Sequence, residues 1–150
     1  MAIWGNIFKR QRRTLEKVDY LQEGADLLSS GKFKEALTSF KLALRDAPRD
    51  AWILQQIAIC HTRIGMTHEA ERNYRLVLEA DPDAPGAHYG LAFLLLREQK
   101  VEEAAQHLEA FLAKAPTIPE AAEHVNHAAT TLEGLKIELA RGGAGEGGRR

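Results

Sequence analysis

The apolar positions in ALTSFKLALRDAP, residues 36–48, recur at steps of three and four, as one face of a helix demands, and the run then stops at proline. Nearly the same phrase returns as AERNYRLVLEADP at 70–82 and as AAQHLEAFLAKAP at 104–116. The three starts, 36, 70 and 104, are therefore 34 residues apart each time. A second set with the same amphipathic period precedes them: YLQEGADLL (20–28), LQQIAICHTRI (54–64) and HYGLAFLLL (88–96). The pattern predicts three pairs of helices, at 17–50, 51–84 and 85–118. Gly31 and Gly65 fall at the turn inside the first two pairs, where positive φ ends a helix at little cost, and Gln99 takes that place in the third. Pro48, Pro82 and Pro116 close the second helices because proline has no N–H with which to continue them.

A fixed period of paired helices with these residues at its landmarks resembles the tetratricopeptide repeat family. The second helices carry Ala36, Phe40 and Pro48, then Ala70, Tyr74 and Pro82, then Ala104, Leu108 and Pro116. The first helices place small residues, Gly24, Ala58 and Ala92, where two closely crossed helices need them. The resemblance covers about 102 of the 150 residues. It implies an all-α, right-handed solenoid of three helix pairs, each burying its apolar stripe against the next, with a capping helix over the last. That cap is expected at 119–140, opened by a capping box in TIPE (117–120), where Thr117 reaches forward and Glu120 back, and weakened at Gly134. A flexible glycine-rich tail is expected at 141–150, and a basic amphipathic segment at 1–16.

The resemblance also implies a site: the first helices line a concave groove that receives a peptide or helix of a protein partner. The matching positions are Gln22 on the first, Trp52, Gln55, Gln56, Ile59 and Arg63 on the second, and Tyr89, Phe93 and Arg97 on the third, with His124 and His127 added by the last helix. Some members hold a terminal carboxylate with Lys, Asn and Arg on these helices. Here Leu21, Ala25, Gln56, Gly86 and Gly90 occupy those places, so that clamp is not expected. An apolar floor with two guanidinium groups suits a segment with apolar anchors and an acidic residue.

Charge adds an asymmetry that the net value of −1 conceals. Residues 1–17 carry five bases against one acid and residues 141–150 three against one. Taking these eight and two from the totals of 20 and 21 leaves 12 against 19, so the middle of the chain, residues 18–140, carries −7. An acidic body argues against nucleic acid, which wants a basic face. In the first segment Ile3, Trp4, Ile7 and Phe8 share a helical face just ahead of Lys9, Arg10, Arg12 and Arg13, which makes it a candidate for a cap on the first repeat, for self-association into a homo-oligomer or for peripheral membrane contact. The single cysteine, Cys60, and the lack of an apolar leader point to a reducing cytoplasm. No arranged nucleophile, phosphate loop or cysteine cluster stands out, so neither catalysis nor a cofactor is expected. One weak metal candidate is the stripe Glu120, Glu123, His124 and His127, spaced by three, four and three along one helix face.

Overall fold

The structure, a computed structural model, describes residues 18–146. Their regular structure is helical throughout: α1 (Tyr20–Ser29), α2 (Phe33–Asp46), α3 (Ala51–Ile64), α4 (Thr67–Ala80), α5 (Pro85–Arg97), α6 (Val101–Ala113), one turn of 3₁₀ helix (Pro119–Ala121) and α7 (Ala122–Glu146). Each helix packs on its neighbours in sequence, and α3 also touches α5, the contact that lets first helices line up along one face. The chain is an all-α solenoid of helix pairs.

Local chemistry sets the helix ends. The Asp19 carboxylate accepts from the N–H groups of Leu21 and Gln22 at 3.1 and 3.2 Å, and Asp50 accepts from Ile53 at 3.0 Å, satisfying donors that the first turn leaves open. Pro85 opens α5 at a position where a missing N–H costs nothing. The turns inside the pairs are left-handed at Gly31 (φ 75°), Gly65 (φ 92°) and Gln99 (φ 60°). Gln99 thus holds with a side chain the conformation that glycine holds twice, at the steric cost Cβ imposes there.

The core is a chain of three clusters rather than one centre. Phe40, Ile53 and Ile57 fill the first, Tyr74, Val77, Leu91 and Leu95 the second, and Leu108, Phe111, Leu132 and Leu135 the third. The small residues do what close crossing requires: Gly24 lies so near Phe40 that a Cβ would stand 2.8 Å from its ring, while Ala58, Ala70, Ala92 and Ala104 are fully buried.

The last helix departs from expectation at both ends. No side-chain cap forms at TIPE; Ile118 precedes a 3₁₀ turn, and α7 proper starts at Ala122. At the other end the helix passes unbroken through Gly134 and continues to Glu146, taking in the first glycines of the expected tail. Glycine lowers helix propensity without forbidding the conformation, so an established helix runs on through it.

Candidate functional site: an aromatic groove between α3, α5 and α7

A cavity of about 620 Å³ opens between α3, α5 and the start of α7. Its floor follows from one helix face. Gly86, Tyr89, Gly90, Phe93 and Arg97 share one face of α5, each three or four residues from another of the set, and all line it. From α3 come Gln55, Ile59, Thr62 and Arg63, and from the far side Phe111, Pro116, Ile118, Glu120 and His124. Two glycines let neighbouring side chains come close against this face. A Cβ at Gly86 would come within 2.6 Å of the Gln55 amide, and one at Gly90 within 2.4 Å of Tyr74 Cζ, so side chains from neighbouring helices already fill those positions.

The aromatic residues form one connected group. Tyr89 meets Phe93 at a centroid distance of 4.8 Å, Phe111 at 5.2 Å and His124 at 5.1 Å, while the His127 ring lies parallel over Phe93 at 4.6 Å. Tyr89 Oη and His127 Nδ1 share a hydrogen bond of 2.8 Å. Burial, and secondarily the nearby Glu123 carboxylate, push the Tyr89 hydroxyl above its ordinary pKa, so the phenol stays neutral. Tyr74 beneath is likewise raised by burial.

The expected groove residues divide by position. Gln55, Ile59, Arg63, Tyr89, Phe93, Arg97 and His124 line the cavity, and His127 backs it through Tyr89 and Phe93. Gln22 instead bonds Asp26 on its own helix at 2.9 Å. Trp52, 51 % exposed, sets its ring edge-on to Phe40 at 5.9 Å and lies outside the cavity lining, as does the half-buried Gln56. Arg63 is shared, its guanidinium 4.4 Å above the Phe33 ring, whereas Arg97 is exposed and carries no counter-ion among the described residues. Thr62, Tyr74, Leu94 and Phe111 are lining residues that the repeat pattern did not assign to the site. The glycine pair four apart within one helix is the legible signal of close approach by neighbouring side chains at this face. Ile3, Trp4, Ile7, Phe8, Lys9, Arg10, Arg12 and Arg13 lie outside the described residues.

The metal stripe is not assembled. His124 and His127 turn onto aromatic rings, and among the described residues the donor set that closes within 4.8 Å is elsewhere, at His68, Glu71 and Glu98. There Lys100 already holds Glu98 at 2.6 Å and Arg75 holds Glu71 at 2.8 Å, so a cation would compete with two bound bases. Cys60 is buried, and desolvation raises its thiol to about 11, which keeps it protonated and unreactive.

Comparison with known proteins agrees with this architecture. The sequence profile described as tetratricopeptide repeat matches residues 65–123. The chain is 30% identical over 107 residues to the photosystem I assembly protein Ycf3 of Cyanophora paradoxa, an alignment covering 69% of this chain and 61% of the relative, so the chain spans less than two thirds of that protein. In fold it resembles the type III secretion translocator chaperone SycD of Yersinia enterocolitica (TM-score 0.74, 20% identity, 81% of this chain and 83% of that one). It also resembles PcrH, solved in complex with the chaperone-binding region of PopD (TM-score 0.72, 18% identity, 80% and 90%). The match to the tetratricopeptide repeat model over residues 65–123 and these structural likenesses agree in placing the fold among the helical-repeat architectures.

Proposed function

We propose that the protein is a non-catalytic adaptor whose groove between α3, α5 and α7 takes a segment of another protein, with apolar anchors on the floor and an acidic residue at Arg97. The observation that carries this reading is the open aromatic wall of Tyr89 and Phe93 above Gly86 and Gly90, ending at Arg97, which has no counter-ion among the described residues. Half-buried aromatics beside an exposed guanidinium are the groups that supply most interface energy. The complex of PcrH with a region of PopD supports the same use of a similar fold. The test is a photo-crosslinking amino acid placed at Phe93, on the floor, and at Arg72, exposed on α4, in the intact chain in its native cells. The expected outcome is a discrete adduct from Phe93 that is absent from Arg72. Equal adducts from both positions, or from Arg72 alone, refute the groove.

The alternative use, self-assembly or membrane attachment through Trp4, Phe8 and the adjoining bases, rests on residues outside the described ones. No described helix is long and apolar enough to cross a membrane. Liposome sedimentation with and without residues 1–13 tests the peripheral form of that idea.

A further inference from the structure

From α7 His124 lines the groove and His127 stands behind its aromatic rings, and the placement of the two imidazoles gives the site a property beyond its shape. His124 stands edge-on to Tyr89 and His127 lies parallel on Phe93, so both stand against the two aromatic rings that form the floor. The formal charges facing this region can be counted helix by helix. Arg63 comes from α3 and Arg97 from α5, α6 contributes the uncharged Phe111, and Glu120 and Glu123 come from the 3₁₀ turn and the start of α7. Two positive charges against two negative leave the wall balanced while both histidines are neutral, and protonation of both makes it +2.

We infer that the groove is a proton-controlled reader of acidic segments: protonation of His124 and His127 turns a balanced wall cationic and tightens the hold on a partner segment bearing carboxylates beside its apolar anchors. This rests on the groove reading above. Imidazole is the side chain whose charge ordinarily changes between about pH 5 and 8. The local geometry tolerates the change. The Tyr89 hydroxyl donates to His127 Nδ1 when that nitrogen bears a lone pair, and its oxygen accepts from the same nitrogen once protonated, so the 2.8 Å contact survives in either state. A positive ring over Phe93 gains a cation–π attraction instead of losing a stack. Charge can therefore enter the wall without dismantling it. The occupant is anionic because Arg97 has no counter-ion among the described residues and because each added proton repels a basic segment.

The experiment uses the full chain and two dyes of similar size, 8-anilinonaphthalene-1-sulfonate, an apolar anion, and N-phenyl-1-naphthylamine, its uncharged relative. Affinities are measured between about pH 8 and pH 6, with circular dichroism confirming that the helices persist. The anion is expected to bind about fivefold more tightly at the acid end, as two screened charges at a groove wall imply, while the uncharged dye changes little. His124→Gln/His127→Gln is expected to flatten the anion's response. His124→Gln alone, at an exposed position, is expected to halve it in logarithmic terms. A flat response in the native chain overturns the proposal, as does an undiminished response in the variants. Phe93→Ala separates the two readings: if both dyes bind that variant as well as the native chain at pH 8, the groove itself is wrong. If binding weakens but the native chain shows no pH response, only the proton control is wrong.

Discussion

Two glycines on one face of α5 show how differently a single methyl group can act. At Gly90 an added Cβ meets the ring of Tyr74, which is 3 % exposed, rigid and packed in the central core cluster. The ring has little room to retreat, so Gly90→Ala is expected to cost about 1–3 kcal/mol by overpacking, read as a lower urea midpoint. At Gly86 the same methyl meets only the end of the Gln55 side chain, which can swing into the groove. Gly86→Ala is therefore expected to be neutral or to stabilise by up to about 1 kcal/mol, the gain of alanine over glycine in a helix. It should at the same time shrink the cavity. The contrast has a direct check: equal losses in the two variants would mean that the floor of the groove is softer than its packing indicates.

Along the elements, α5 is joined to α6 by a pair of histidines as well as by apolar contact. His88 Nε2 lies 2.7 Å from the Pro82 carbonyl, which can only accept, so that nitrogen carries the proton. His88 Nδ1 then accepts from His107 Nδ1–H at 2.9 Å. Burial, and next the neighbouring His88, hold His107 below its ordinary pKa, outweighing the opposite pull of Glu103, which is itself tied to Arg75 at 2.7 Å. His61, buried beside Asn73, is lowered as well, again chiefly by burial. In both cases the unfolded chain binds the proton more readily than the folded one. Stability is therefore complete above the unfolded value of about 6.5 and is lost as pH falls through it toward the depressed folded values. Thermal unfolding midpoints should drop from pH 8 to pH 5, and His107→Gln should flatten part of that fall. A midpoint that rises on acidification contradicts the placement of both rings. These contacts show where the sequence ran out. The helices, their turns and even the left-handed role of Gln99 follow from local pattern. The meeting of His88 with His107, or of Tyr89 with His127 across 38 residues, depends on how pairs stack, which no local signal encodes. TIPE forms no α-helical cap for a related reason: Ile118 and Pro119 lead the chain into a 3₁₀ turn instead.

For the whole molecule, the decisive fact is that the three core clusters are strung along the chain, so each repeat depends on its neighbours and not on a common centre. The groove lies near one end of this array, and α7 serves it twice. Its inner face covers Leu108 and Phe111 with Ala128, Leu132 and Leu135, while its first turns carry the histidines that stand on Tyr89 and Phe93. Loosening α7 should therefore open the groove before it unfolds the first two repeats. Leu132→Ala leaves a void under the cap and is expected to cost about 2–4 kcal/mol locally. Hydrogen exchange should register this as lost protection in α6 and α7, with α2 and α3 nearly unchanged, because their cluster of Phe40, Ile53 and Ile57 contains no atom of the cap. Binding at the groove should weaken in the same variant although Leu132 is not among the cavity-lining residues. If protection falls uniformly from α1 to α7, the molecule folds as one cooperative block, and the capping helix supports the site only by supporting everything.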